Sequence, residues 1–276
     1  MTEIWRYLPP SAAAGPDNMA LDEALLTQVG NGHGPPTLRF YTWTSPWLSL
    51  GSGQSATELD RPAVDRHGWG IVRRTSGGTL VLHQGQVGYA LVLPADHWVW
   101  RGDLVASYER LSEPLALAFR RLGAGVEAPD PSRCSEFSGG SPAFASRTCF
   151  GSLGPYELVH QGRKLIGNSQ TRRRLANAQH GVIQRTGGQA KLAAVIVASP
   201  TDRSELADYL TRKVGSLDAA TGRTVSVEAS VEAIVAALEE CLGVTLVEGS
   251  LAESERLLAE SLAETKYRNP EWTFRR

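Results

Sequence analysis

Between residues 37 and 94 the chain carries five runs of strand length: TLRFYTW (37–43), WLSLG (47–51), GIVRR (70–74), TLVLH (79–83) and GYALVLP (88–94). Each is rich in β-branched and aromatic side chains, and Gly, Ser and Pro separate them. That alternation predicts a sheet of short, largely antiparallel strands. Helical spacing flanks the block. After Gly15-Pro16-Asp17, the run NMALDEALLTQV places Met19, Leu21, Ala24, Leu25 and Val29 on one face and stops at Gly30. Residues 103–122 repeat the pattern; Pro114 is expected to kink or restart that helix, and Gly123 and Gly125 to close it. RSELADYLTRKV, VEAIVAALEECLG and SLAESERLLAESLAETKY read as further helices. With no internal repeat and no linker, the expected class is α+β in one piece.

Composition narrows the function. A chain of 276 residues, 42% hydrophobic and 21% charged, can bury one large core or two small ones. Its formal net charge of −1 offers no global basic field, which argues against nucleic acid as a partner. No stretch reaches the roughly 18 apolar residues of a membrane span, and MTEIWRYLPPSAAAGPD lacks the build of a signal peptide, so a cytoplasmic protein with no membrane partner is expected. The three cysteines are odd in number and form no CxxC pair, which predicts free thiols rather than a disulfide framework or a zinc site. Cys241, inside an apolar helical pattern, is expected to be buried, and Cys134 lies in a polar loop with nothing specific to activate it. Cys149 ends that loop, a Ser-, Gly- and Pro-rich stretch over 129–148 whose length suggests function.

Two stretches carry chemistry. In RRTSGGTLVLH, Ser76-Gly77-Gly78 is neither a phosphate loop of the GxxxxGK[ST] type nor a GxGxxG. Its paired glycines would let a ligand approach bare backbone, and Arg73 and Arg74 could bind a carboxylate or phosphate; an ordinary tight turn with solvated arginines is the competing reading. In the second stretch, YELVH and RKLIG resemble a hairpin around Gln161-Gly162. Lys164 is placed on the face opposite Leu165 and Ile166, with Gly167 permitting close approach. Such a lysine either points into a pocket, where it can neutralise a carboxylate or oxyanion, or is solvated. Arg172, Arg173 and Arg174 form either a solvated face or a dock for an acidic protein. An ammonium near Cys149 would raise its thiolate fraction, but spacing alone does not bring the two together. His83 and His180 could move protons, donate to a ligand, or be structural. No Ser-His-Asp order and no HExxH is present.

VRRTSGGTLVLH resembles the Arg-Arg-x-Ser/Thr-Gly-Gly-x-x-Val-x-His element of the biotin/lipoate protein ligase and acyltransferase superfamily. GRKLIGNSQTRR with AQHGVI resembles its second element, which carries the lysine. NMALDEALL, YTWTSPWLSLGSGQ and KYRNPEWTFRR extend the likeness over most of the chain. The resemblance implies a ligase-like catalytic domain with a mixed, mostly antiparallel sheet packed with helices, in one domain over 1–276, its motif-bearing core at about 34–225 and a helical segment after it. CFGSLGPYELVHQGRKLIGNSQTRR is similar to the lipoate ligase-like branch of the octanoyltransferases, and Gln170-Thr171-Arg172 and Gln179-His180-Gly181 lean the same way.

That branch takes octanoate from octanoyl-acyl carrier protein, holds it on a cysteine, and passes it to the lysine of a lipoyl domain or glycine cleavage H protein, with neither ATP nor another cofactor. Carried onto this chain, Cys149 and Lys164 would be catalytic. Arg73, Ser76, Gly77, Gly78, His83, Gly167 and His180 would bind substrate beside an apolar tunnel, and Arg172, Arg173 and Arg174 would dock the carrier. Thr79, where ligases commonly have a third glycine, and Gln84, where an aspartate often follows the histidine, depart from the pattern. An ATP-dependent lipoate ligase, with Cys149 incidental and Lys164 on the adenylate, is the first alternative, and a non-catalytic acyl-binding protein the second. Biotin transfer is disfavoured because the chain lacks a Gly-Arg-Gly-Arg run.

Overall fold

The computed structural model describes residues 2–137 and 139–276. Eleven strands are assigned among them: β1 (Glu3–Ala13), β2 (Thr37–Trp43), β3 (Trp47–Leu50), β4 (Gly70–Arg73), β5 (Val81–His83), β6 (Val87–Pro94), β7 (Val159–His160), β8 (Arg163–Lys164), β9 (Ile166–Arg172), β10 (Ala176–Ile183) and β11 (Val244–Glu248). The period of two in β6 shows where the core sits. Val87, Tyr89, Leu91 and Leu93 join one apolar layer with Leu111, Leu115 and Phe119 of the Leu104–Arg121 helix and Ile234 and Leu238 of the Val227–Leu242 helix. Val92, on the other face, packs with Ala176, Ala178 and with Leu25, Leu26 and Val29 of the Gly15–Gly30 helix. A sheet covered on both faces explains why GYALVLP is almost uniformly apolar.

The α+β class and the mixed sheet are as expected, but the strands form two main sheets, not one. The larger has the order β11-β1-β2-β6-β10-β9; β11, β1 and β2 run parallel, and the rest pair antiparallel. The smaller has the order β4-β3-β5, with β3 parallel to β4 and antiparallel to β5. Its core includes Leu48, Leu82, Val64, Leu206 and Leu210. Parallel pairing follows from the connections. The Gly15–Gly30 helix lies between β1 and β2, and the Arg61–Arg66 helix between β3 and β4, and a crossover returns the chain in the same direction.

Strand β1 is not among the expected runs; its Pro9 and Pro10 fall where the β1–β2 register shifts, between Leu8 and Ser11, so the missing donors interrupt the ladder where it is already irregular. Asp103 caps the Leu104–Arg121 helix by accepting from Ala106 N at 2.8 Å. That helix includes the buried Pro114 and does not restart there. The segment after 225 is mostly helical but also supplies β11, parallel to β1. Among the described residues no helix is long and apolar enough to cross a membrane.

The expected loop over 129–148, of which residue 138 lies outside the described residues, contains short helical turns at Pro131–Arg133, Cys134–Phe137 and Ala145–Arg147. Its end is fastened to the strand after the Ser-Gly-Gly turn: Leu80 N donates to Arg147 O at 3.1 Å and Cys149 N to Leu80 O at 3.0 Å. The β7–β8 hairpin forms as expected, with Gln161 at φ 49° and Gly162 at φ 72°, the left-handed pair that a two-residue turn of type I′ requires.

Candidate active site

A cavity of about 530 Å³, including its mouth, opens where the two sheets meet. Cys149, Ser76, His83, Gly167 and His180, separated by up to 104 positions in sequence, all line it. Cys149 begins a 3₁₀ turn, Cys149–Gly151, whose far end is held by Tyr209 donating to Gly151 O at 3.1 Å. Gly167 lies against the thiol: a Cβ there would stand 3.1 Å from Cys149 Sγ.

Lys164 is buried behind this turn and is not part of the cavity wall. Its ammonium donates to Cys149 O at 2.8 Å and Ser152 O at 3.0 Å, and pairs with Glu157 Oε2 at 2.5 Å. Those three partners match its three donors. The Glu157 carboxylate also accepts from Gly154 N at 2.6 Å and Asn168 N at 2.9 Å, tying the nucleophile-bearing loop to β9. Lys164, Leu165 and Ile166 are all buried, so Lys164 is neither solvated nor part of the cavity wall.

The paired arginines face opposite ways, as the alternation at the end of a strand dictates. Arg73 is fully buried away from the cavity; it donates through Nη1 to Gly51 O at 2.7 Å and Gln54 O at 2.6 Å, and through Nε to Thr273 O at 2.9 Å. Arg74 lines the cavity. It donates through Nη1 to Ser49 O at 2.9 Å and Ser49 Oγ at 3.1 Å, and through Nη2 to Gly77 O at 2.8 Å and Thr79 O at 2.9 Å. Ser76 is buried and its Oγ accepts from Ser169 Oγ at 2.9 Å. Gly77 and Gly78 form the exposed crest of the turn, Gly78 at φ 82°, and do not line the cavity.

His83 stacks on Trp43, ring centroids 4.0 Å apart, and shares a hydrogen bond with Ser49 Oγ through Nε2 at 2.8 Å. Burial, with the Arg74 charge adding, pushes its pKa down to about 3, so it is neutral at physiological pH. His180 Nε2 lies 3.5 Å from Asp22 Oδ2. Burial lowers its pKa against the opposing pull of Asp22, and Arg74 and Arg39 lower it further. Asp22 is itself paired with Arg39 at 2.5 Å and accepts from Tyr41 OH at 3.3 Å.

Arg172, Arg173 and Arg174 lie at the β9–β10 turn, away from the cavity wall. At about 3.4 Å per residue, β9 sets Arg172 roughly 17 Å beyond Gly167. Arg172 Nη2 donates to Ser107 Oγ at 2.8 Å, Arg173 pairs with Glu23 at 2.9 Å, and Arg174 is exposed. Cys241 is exposed rather than buried; in the last turn of its helix Leu238 and Leu242 are the side chains that pack on the core. Among the described residues no group of three His, Cys, Asp or Glu is gathered to hold a metal ion.

The sequence did not single out Asp22, Tyr41, Ser49, Glu157 or Ser169, and although both arginines of the pair read as possible anion binders, the family resemblance carries over Arg73 and not Arg74. Strand alternation in GIVRR could have separated Arg74 from Arg73, and Asp22 stands three residues after the apolar Met19 on the same helical face. Nothing local marks Glu157, whose partners come from β8, β9 and the loop.

The lipoyl protein ligase A/B catalytic domain model matches residues 15–239. Octanoyltransferase LipM of Carboxydothermus hydrogenoformans is 35% identical over 275 residues, and that of Moorella thermoacetica 37% identical over 276, each alignment covering 99% of both chains. Among solved structures, one from a study of a bi-partite lipoate protein ligase and its E2 lipoyl domain from Thermoplasma acidophilum gives a TM-score of 0.80 at 22% identity, covering 99% of this chain and 97% of that one. Lipoate-protein ligase A bound with ATP gives 0.77 at 22% identity, covering 99% of each chain. At that identity the two structures speak for the fold alone. With the family model covering most of its length and relatives aligned from end to end, the chain belongs to the lipoyl protein ligase A/B catalytic domain family.

Proposed function

We propose that octanoate moves from acyl carrier protein to Cys149 and from there to a lysine of a lipoyl domain or the glycine cleavage H protein. The chain is an acyltransferase, an octanoyltransferase of lipoate biosynthesis like the LipM relatives that match its full length. The observation that carries the cysteine route is the thiol of Cys149 in the wall of the cavity, against a glycine that leaves its approach open. An enzyme that worked through an adenylate would have no use for a thiol placed there.

The Cys149 thiolate attacks the thioester carbonyl of the carrier-bound octanoate, forming a new C–S bond and a tetrahedral oxyanion. Collapse breaks the C–S bond to the carrier, whose thiolate leaves and takes up a proton. The incoming lysine amine then attacks the acyl-enzyme, loses a proton, and forms the amide as Cys149 departs. Exchange of one thioester for another is nearly balanced, so the first step needs no ATP, and no cofactor is invoked.

Lys164 fixes the Cys149 turn from behind through two carbonyls. Ser76, Gly167, His83 and His180 wall the acyl site, while Arg74, donating to Gly77 O and Thr79 O, holds the turn that presents Ser76, and Arg73 fastens the neighbouring Gly51–Gln54 segment. Arg172 and Arg174, with Arg173 braced on Glu23, meet the acidic carrier at the hairpin tip. The free cysteines suit a reducing compartment, and we assign the reaction to the cytoplasm.

Intact-protein mass spectrometry after mixing with octanoyl-acyl carrier protein, without ATP, tests the route. Wild type should gain a hydroxylamine-labile octanoyl adduct, and Cys149→Ala should gain none while melting as wild type does. Normal transfer by Cys149→Ala refutes the mechanism; modification of a lipoyl domain only with free lipoate and ATP makes the protein a ligase.

A further inference from the structure

We infer that Arg172, besides meeting the carrier, is a positioning residue for the Cys149 turn, acting along a directed chain of hydrogen bonds behind the cavity wall. The inference rests on Cys149 being the nucleophile. Arg172 donates through Nη2 to Ser107 Oγ at 2.8 Å and through Nε to Gln170 Oε1 at 3.2 Å. Gln170 Nε2 donates to Gln179 Oε1 at 2.9 Å, and Gln179 Nε2 to Tyr89 OH at 2.9 Å. The phenol in turn donates to Asn168 Oδ1 at 2.8 Å. Asn168 N donates to Glu157 Oε1 at 2.9 Å, and Glu157 holds Lys164, whose ammonium grips the Cys149 and Ser152 carbonyls. Asn168 also follows Gly167, the residue against the thiol. Ser107, Tyr89 and Gln179 are buried, so protein groups rather than bulk water satisfy them. A Cβ at Gly181 would collide with Tyr89 Cε1 and stand 2.6 Å from Asn168 Oδ1, so a glycine is what lets the phenol of β6 cross β10 to reach β9.

An amide can turn end for end and a phenol can donate or accept, so a chain of this kind has two possible directions. Arg172 selects one. A guanidinium only donates, which turns Gln170 Oε1 toward it and Gln170 Nε2 toward Gln179. Gln179 Nε2 then faces Tyr89, whose proton is left for Asn168. The reverse order would set Gln170 Nε2 against the Arg172 Nε–H. Without the arginine both directions are open, and the tie between Asn168 and Tyr89 weakens. β9 is the edge strand of its sheet and has a ladder on one side only, so such ties set its position. The Gly167 wall and the bond to Glu157 are both made by β9, and both shift with it.

Acylation of Cys149 by octanoyl-pantetheine, a thioester with no protein surface, followed by rapid-quench intact mass, separates positioning from docking. Arg172→Ala should lower the saturating rate about threefold to tenfold and leave the half-saturating concentration unchanged, as a shift of a few tenths of an ångström would when 1 Å costs about a hundredfold. Arg172→Lys, still only a donor, should recover part of that rate, and Arg172→Glu, which only accepts and so reverses Gln170, should be slower than Arg172→Ala. Tyr89→Phe cuts the chain without removing the ring, and in that background Arg172→Ala should cost less than about twofold more. Wild-type acylation by Arg172→Ala overturns the inference. So do Arg172→Ala and Tyr89→Phe losses that multiply as independent effects, and an Arg172→Lys no faster than Arg172→Glu. The same double-mutant cycle run with octanoyl-acyl carrier protein decides the matter if the small thioester reacts slowly. No adduct on wild type from either thioester would remove the cysteine route and this inference with it, whereas a normal wild-type adduct beside an indifferent Arg172→Ala removes the inference alone.

Discussion

Gly167→Ala places a methyl group between the nucleophile and a buried ring. Its Cβ would lie 3.1 Å from Cys149 Sγ and 3.3 and 3.4 Å from Cζ and Cε2 of Phe150, inside or at the edge of ordinary van der Waals contact. Phe150 is fully buried and cannot retreat, so the thiol should give way by a few tenths of an ångström or change rotamer. Overpacking of this kind costs about 1–3 kcal/mol, and replacing a glycine recovers about 0.4–1 kcal/mol by restricting the unfolded chain. The net loss is roughly 0–2.6 kcal/mol, or a melting midpoint lower by up to about 10 °C. Catalysis suffers more, because displacing a reacting atom by 1 Å costs about a hundredfold. Rapid-quench mass spectrometry of the acyl-enzyme should show acylation slowed about 10- to 100-fold, beside a modest shift by scanning fluorimetry. Wild-type acylation would refute the reasoning, whether or not the midpoint fell, since the strain would have gone somewhere other than the thiol.

Acid should destabilise the fold through His83. Its folded pKa of about 3 lies below the ordinary 6.5, so the unfolded chain takes up a proton that the folded one refuses, and stability present above pH 6.5 is lost as pH falls towards 3. At pH 5 that loss is about 2 kcal/mol, and His83→Gln should flatten this part of the acid limb in urea titrations at pH 5 and 7.5. A variant as acid-sensitive as wild type would show that other groups govern it. Arg73→Ala should act on stability rather than chemistry, since three carbonyls, of Gly51, Gln54 and Thr273, lose their donor. At about 1–3 kcal/mol for each unsatisfied group, the midpoint should fall by 10 °C or more while the folded fraction keeps its rate of acyl-enzyme formation. A stable but inactive Arg73→Ala would contradict the division of labour between the two arginines.

Much of the fold could be read along the chain. TLRFYTW coincides with β2, and NMALDEALL lies within the Gly15–Gly30 helix, because both carry a strong period and sharp stops. β1 went unread, and its Pro9 and Pro10 are tolerated only because they fall where the register with β2 slips, which the pairing alone reveals. The division into two sheets was equally hidden, since local spacing predicts strands but not which of them pair. Cys241 shows the same limit: its apolar helical surroundings did not tell which side chains of the last turn reach the core, Leu238 and Leu242 rather than Cys241.

The sequence by itself determined the chemical parts of the site: a cysteine at the end of a loop, a lysine in a hairpin, a Ser-Gly-Gly turn after two arginines, and their order along the chain. Their electrical partners were decided only by the tertiary structure. Lys164 is compensated because β8, β9 and the loop bring Glu157 to it, whereas among the described residues no carboxylate pairs with Arg74, since β3 and its own turn offer it carbonyl and hydroxyl oxygens. The physical reason is that a charge acts through space in proportion to what surrounds it, and residues distant in sequence supply those surroundings.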